Sequence, residues 1–354
     1  MQFKDYITKL PAYKPPKLIA QQARDVVKLS SNENALGPSP RAVEALQRAV
    51  NNVHRYPDFS AGALRQALAA QAGLPSESVI CSNGSDELVF LLCVAFLRED
   101  DEAVMANGTF ISYLLRTLEV GGRAVQIPLR DYTHDLPALV QAITPQTRLL
   151  FVCNPNNPTG TTNGAAEIHK LLEQVPPDVL VVMDEAYIEY VTRSDYPDLL
   201  PELRNGRRNV ILLRTFAKIY GLAGLRLGYA YGHPEVISYL DRARPTFNVN
   251  ALAQVAGIAA LSDTEHVERS RAHAAICRDF FARELAALGL QPIASETNFV
   301  AVDVGNDDRV SDGLRERGFT VTPLSGWGLP GLIRISFGTE EENQRFMTAL
   351  ADVL

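Results

Sequence analysis

The sequence is short of lysine. Of its 34 basic residues only seven are lysine, and five of those, Lys4, Lys9, Lys14, Lys17 and Lys28, precede residue 29. Beyond that point stand Lys170 and Lys218 alone, so any lysine chemistry in the body of the chain has two candidates. Long apolar runs are absent as well. The longest, 88–97, is half of the roughly 20 residues that a membrane-spanning helix needs, and the start of the chain has no apolar core of a secretion signal. The four cysteines, Cys81, Cys93, Cys153 and Cys277, form no CxxC pair and lie in apolar stretches, which reads as buried free thiols in a reducing compartment. The six histidines make no HExxH or HxxxH pattern, which argues against a protein-held metal. With 34 basic against 41 acidic residues the net charge is −7, the wrong sign for a nucleic-acid or acidic-membrane binder. The expectation is a cytoplasmic enzyme acting on small molecules.

What is present fits that class. The chain has 354 residues, 46% of them apolar, enough for two buried cores at roughly 150 residues per domain. Residues 1–30 read as an arm, with Pro11, Pro15 and Pro16 among lysines and no clear period. From residue 40 helical patterns (40–50, with Val43, Leu46 and Val50 on one face, then 61–72 and 85–98) give way to short apolar runs at 103–106, 124–127, 149–153, 180–183, 210–213 and 227–231. Such alternation predicts an α/β fold, a mostly parallel sheet between layers of helices. After Pro245 long helical stretches (251–261, 264–288) precede strand-like 298–302 and 332–336 and a last helix from Glu340. The predicted organisation is an arm (1–30), a large α/β domain (31–244) and a smaller α+β domain (245–354).

Ligands in open α/β sheets bind beyond the carboxyl ends of the strands, and three such ends here are unusual. Run 149–153 leads into Asn154-Pro155-Asn156-Asn157-Pro158-Thr159-Gly160. Run 180–183 ends in Asp184-Glu185-Ala186-Tyr187, and run 210–213 in Arg214-Thr215-Phe216-Ala217-Lys218. A turn, a helix cap and a solvated lysine would explain each alone; together they can converge on one ligand. Lys170 falls on the polar face of an amphipathic stretch whose apolar face is Ile168, Leu171, Leu172 and Val175, which leaves Lys218. Gly221, Gly224 and Gly228 follow it and allow close approach of a ligand, while Arg226 can clamp a phosphate bidentately. A lone lysine, a phosphate clamp and an aspartate on a neighbouring strand end suit a pyridoxal 5'-phosphate site. Residues 82–87 (SNGSDE) open a helix whose N-terminus offers N–H groups to an anion, although an ordinary cap explains them too. A Walker-type ATPase, suggested by 179–186 (VLVVMDEA), lacks any Gly-Lys pair, and the glycines after Lys218 are not spaced as GxGxxG.

Residues 83–88, 154–160, 184–187 and 214–229 together resemble the histidinol-phosphate aminotransferases, within the fold type I pyridoxal-phosphate enzymes. The likeness extends to 31–40 (SNENALGPSP), 55–58 (RYPD), 244–250 (RPTFNVN), 295–300 (SETNFV) and 334–339 (RISFGT), and so spans nearly the whole chain. It implies transamination between a small-molecule amino donor and a 2-oxo acid, histidinol phosphate with 2-oxoglutarate, in histidine biosynthesis. It further implies Lys218 as Schiff-base lysine and proton carrier, Asp184 against the pyridinium nitrogen, and Asn157 and Tyr187 on the phenolic oxygen. Gly84, Ser85, Asp86, Thr215 and Arg226 would form the phosphate cup, and Phe110 would stack on the pyridine. Tyr56 would reach the phosphate of a neighbouring subunit, which implies a homodimer with interfacial sites. Arg334 would grip the substrate's acidic end, and Tyr13 on the arm would close over it.

Three positions depart from the family pattern. Ala217 stands where serine usually supplies a phosphate hydroxyl, and Gly108 where proline is usual, which predicts a looser stacking loop. Thr322 stands where a second arginine is common in members that bind a substrate phosphate. A threonine brings no charge to a dianion, so the amino donor stays open between histidinol phosphate and an aromatic amino acid. A phosphothreonine-type decarboxylase is the rival on the same scaffold.

Overall fold

The computed structural model describes residues 3–10 and 26–354. Its strands are β1 (Val27–Lys28), β2 (Val79–Ser82), β3 (Glu102–Asn107), β4 (Arg123–Pro128), β5 (Thr147–Cys153), β6 (Leu180–Asp184), β7 (Val210–Thr215), β8 (Gly228–Gly232), β9 (Phe299–Asp303), β10 (Phe319–Thr320), β11 (Thr322–Pro323) and β12 (Leu332–Ser336). Seven of them form one sheet in the order β2-β8-β7-β6-β5-β3-β4. Its body from β7 to β4 is parallel, while β8 runs antiparallel to both β7 and β2. Every residue of β6 is buried, as expected of a parallel strand covered on both faces.

The helices cover this sheet according to their pattern. Ser85–Phe96 buries Leu88, Val89, Leu91, Leu92 and Cys93 and leaves Phe90 and Val94 exposed on its outer side, so the longest apolar run of the chain is a helix packed on the sheet by one broad face. Ala165–Gln174 buries Ile168, Leu171 and Leu172, and Lys170 is exposed on its outer side. Among the described residues no helix is long and apolar enough to cross a membrane.

Three differences from the sequence reading have physical causes. Strand β2 follows a turn and has only three apolar residues before Ser82, too short a run to stand out; it exists because β8 supplies an antiparallel partner from Val79↔Tyr231 to Ser82↔Gly228. Helix Pro40–Ala49 buries Ala42 fully and half-buries the expected Val43 and Leu46, with Leu46 packed against the core, while Val50 is 49% exposed. Within the arm, residues 27–28 are a strand that pairs in parallel with β10, Val27↔Phe319 and Lys28↔Thr320. That pairing brings residues 29–34 beside the second sheet, β11-β12-β9, which is antiparallel throughout.

Candidate active site

The parallel register sets β5, β6 and β7 side by side, with Cys153 opposite Asp184 and Asp184 opposite Leu213. Their carboxyl ends open onto a cavity of about 130 Å³ lined by Ser85, Asp86, Phe110, Cys153, Asn157, Asp184, Ala186, Tyr187, Thr215, Ala217, Lys218 and Arg226. A larger groove of about 860 Å³ between helices Thr264–Ala287 and Glu340–Val353 contains none of the predicted site residues.

Asp184 is 4% exposed. Its Oδ2 accepts from the Tyr113 hydroxyl at 2.6 Å and its Oδ1 from the Ala186 N–H at 3.1 Å. Burial raises its pKa above the usual carboxylate range, against the lowering effect of those two donors. Lys218 donates from Nζ to the Ser31 carbonyl at 3.0 Å and lies 5.5 Å from the centre of the Tyr187 ring. Burial first, then the positive charges of Arg334 and Arg226, push its pKa down to about 7, so a neutral amine is available at physiological pH. The Tyr187 hydroxyl accepts from Asn32 Nδ2 at 2.8 Å, and burial raises its pKa. Asn32 is itself held by Ser336, whose Oγ accepts from its N–H and donates to its Oδ1, each at 2.8 Å.

At the other end of the cavity, helix Ser85–Phe96 begins at Gly84, whose φ of +84° aims the first N–H groups outward. A Cβ on Gly84 would lie 2.5 Å from Arg226 Nη2, so the absent side chain makes room for the guanidinium. Thr215 Oγ1 accepts the Ala217 N–H at 3.1 Å. The Asp86 carboxylate turns away to Arg116, at 2.5 Å, so Asp86 can meet an anion only through its backbone. A neutral amine, a buried carboxylate, two hydroxyls, a helix N-terminus and an arginine fit the aldehyde, ring nitrogen and phosphate of pyridoxal phosphate.

Arg334, 4% exposed, donates to Asn157 Oδ1, to the Ser30 carbonyl at 2.6 Å and to Thr322 Oγ1 at 3.1 Å. These acceptors are uncharged. Its Nε is buried without a partner, and burial lowers its pKa. A buried cation held by neutral groups invites an anionic ligand.

Other predicted residues stand apart. Tyr56 is 83% exposed and stacks on Phe247, ring centres 4.7 Å apart; one chain does not bring it to the cavity. Tyr13 lies outside the described residues. Gly108, where a looser loop was expected, has a φ of +88°, and Leu129 and Leu329 pack where a side chain would be. Sequence reasoning missed Tyr113, Asn32 as the partner of Tyr187, and the Ser30 and Ser31 carbonyls. Tyr113 is buried in the first turn of helix Ser112–Glu119, and its sequence context carries no signal that sets it apart from a core residue.

Comparison with known proteins agrees with this geometry. The family described as aminotransferase class I and II matches residues 24–350. The curated histidinol-phosphate aminotransferase of Moorella thermoacetica is 46% identical, over 99% of this chain and 92% of that protein. The one from Anaeromyxobacter is 45% identical, over 99% and 98%. Among solved structures, the histidinol-phosphate aminotransferase of Sinorhizobium meliloti in complex with pyridoxal-5'-phosphate superposes with a TM-score of 0.91 at 30% identity, over 99% of this chain and 97% of that one. The aspartate aminotransferase of Thermus thermophilus with maleate gives 0.86 at 26% identity, over the full length of both. Likeness of that extent, on a fold whose strand ends carry a lysine of lowered pKa beside a buried aspartate, places the chain in the class I and II aminotransferases, within the histidinol-phosphate aminotransferase family.

Proposed function

We propose that the protein transfers an amino group between histidinol phosphate and 2-oxoglutarate, a step of histidine biosynthesis, as a pyridoxal-phosphate-dependent homodimer. The observation that carries this reading is Lys218, an amine driven to a pKa of about 7 at a strand end beside the buried carboxylate of Asp184. The curated relatives' name supplies the donor.

Ser85, Thr215, Arg226 and the N–H groups after Gly84 would hold the cofactor's phosphate, Asp184 its ring nitrogen, Asn157 and Tyr187 its phenolic oxygen, and Phe110 one face of its ring. When bound, pyridoxal phosphate supplies an electron-withdrawing ring that acidifies the donor's α-carbon. Lys218 Nζ, with its pKa pushed down to about 7, takes the α-proton in its neutral form. Asp184, held by the Tyr113 hydroxyl and the Ala186 N–H, would set its carboxylate against the ring nitrogen, where its ionised form would keep a positive charge favourable. Arg334 orients the donor by its acidic end, and the low exposure of the floor excludes water. In the proposed division of labour, residues 31–244 hold the cofactor and residues 245–354 grip the acid.

Support for the homodimer is a group of exposed apolar residues: Val53, Tyr56, Phe59 and Phe247 are 37–83% exposed, with the Phe247 ring against those of Tyr56 and Phe59, and exposed apolar clusters of this kind mark interaction surfaces. Thr322 favours a second reading, an aromatic amino acid as donor, because Arg334 is the one arginine seen at the acid end among the described residues. The deciding experiment compares histidinol phosphate with phenylalanine as donor and repeats both with Lys218→Ala. The expected result is faster turnover of histidinol phosphate, and loss in the variant of both turnover and the borohydride-reducible yellow absorbance. A faster phenylalanine reaction would replace the donor; persistence of turnover in Lys218→Ala would sink the mechanism.

A further inference from the structure

The proposed function uses Lys218, Asp184 and Arg334 but leaves unexplained the ring that stands beside Arg334. Trp327 is the only tryptophan in the chain and sits in the short turn Ser325–Trp327 between β11 and β12. Its ring centre is 5.5 Å from the Arg334 guanidinium carbon and 6.4 Å from the centre of the Phe110 ring, at an interplanar angle of 41°. Trp327 therefore borders both the cation at the acid end and an aromatic wall of the floor cavity. A donor with its acidic end at Arg334 starts beside the indole.

The loop is built to hold the ring in place. Asp307, buried at the start of helix Asp307–Glu316, accepts from the Ser325 N–H at 2.8 Å, the Ser325 hydroxyl at 2.7 Å and the Gly331 N–H at 3.2 Å. One carboxylate thus ties both ends of 325–331. Within the loop Leu329 packs over Gly108, where a Cβ would meet it at 3.1 Å. The φ of +88° at Gly108 is closed to proline, whose φ is fixed near about −65°. The departure from the family's usual proline is therefore matched to the loop that carries Trp327. The two rings are not packed to closure, since Phe110, Trp327, Asn107 and Gly108 line a cavity of about 140 Å³. A tryptophan serving the core alone would fill such a space.

We propose that Trp327 is a specificity-determining wall for a flat ring on the amino donor, and that Asp307 is a positioning residue acting through loop 325–331. The proposal rests on the reading of Arg334 as the grip on the donor's acid. An imidazole or phenyl ring gains an aromatic contact with the indole; glutamate, which the same site must accept in the other half of the reaction, has no ring to place there. Glutamate is the internal control.

The test measures half-reaction rates of the holoenzyme with histidinol phosphate, phenylalanine and glutamate for wild type, Trp327→Leu, Trp327→Phe and Asp307→Asn. Trp327→Leu should lower the preference for ring donors over glutamate, as a ratio of kcat/KM, about tenfold. Trp327→Phe should restore most of it, and Asp307→Asn should shift it the same way by a smaller factor, through KM rather than kcat. A second readout is Trp327 emission in the pyridoxamine-loaded wild type, where an amine donor binds without reacting; ring donors should change it more than glutamate does. Equal losses for all three donors in Trp327→Leu, or equal emission responses, would overturn the proposal. If wild type uses phenylalanine but not histidinol phosphate, the donor assignment falls while the phenylalanine-to-glutamate contrast still decides the role of Trp327. If it uses neither ring donor, both fall.

Discussion

The floor of the site and its acid-binding end are built on different plans. Asn157, Asp184, Thr215 and Lys218 sit at or just beyond the carboxyl ends of three adjacent parallel strands, so sheet register alone brings them together. The acid end joins Ser30, Asn157, Thr322 and Arg334, and its longest bond links residues 304 positions apart. A side chain on the floor can change without moving its neighbours. At the acid end two short pairings, β1 with β10 and β11 with β12, bring distant parts of the chain together, and the Arg334 side chain ties them by hydrogen bonds, so a substitution there alters affinity and local order at once.

The largest effect expected from this contrast is on the floor. Asp184→Asn keeps the shape and an acceptor for the Tyr113 hydroxyl but removes the charge. Turnover should fall by about 10²–10³-fold, with the melting temperature little changed. Steady-state rates and thermal unfolding check both halves; a loss under tenfold would mean the charge at this position does not drive the reaction.

Arg334→Gln probes the other plan. Removing the buried cation proposed to hold the donor's acid should raise KM by about 10²-fold, with a smaller effect on kcat. The two regions also couple electrostatically, because Arg334 is, after burial, the next largest cause of the lowered Lys218 pKa. The sign follows: a neighbouring positive charge disfavours the ammonium form, so its loss lets the pKa climb above about 7. In cofactor-free protein the reaction of Lys218 with an aldehyde, which needs the neutral amine, should shift to higher pH in Arg334→Gln. An unchanged midpoint would show that burial alone sets it.

The same contrast explains what could be read from sequence. Alternating apolar runs and helical patterns suffice for the parallel sheet, and polar residues at three successive strand ends suffice for Asn157, Asp184 and Lys218, because in such a sheet adjacency in space follows order in the chain. Periodicity disposed of Lys170. Tyr113 was not legible, since a tyrosine on an amphipathic helix reads as core until its hydroxyl is seen on Asp184. Nor were Ser30, Ser31 and Asn32: they act through carbonyls or a buried amide, and a two-residue strand pairing with β10 puts them there. Strand β2 was invisible for the same reason, being made by its partner rather than by its own pattern.

Thr322 separates the two plans at a single residue and carries the smallest effect. Its hydroxyl donates to the Ser30 carbonyl at 2.8 Å and accepts from Arg334 Nη2 at 3.1 Å, so it steadies Arg334 as well as standing where a second cation could be. Thr322→Val removes both bonds and no charge. At about 1 kcal/mol net it should raise KM for histidinol phosphate and phenylalanine alike by roughly fivefold. Thr322→Arg loses the same bonds but brings a cation, which a phosphate dianion rewards more than a carboxylate. Its kcat/KM should therefore improve for histidinol phosphate relative to phenylalanine. Measured side by side, the two variants divide the role of the position: a donor-independent loss in both makes Thr322 a brace for Arg334 and nothing more, whereas a donor-dependent gain in Thr322→Arg alone marks the place where the substrate's acid lies.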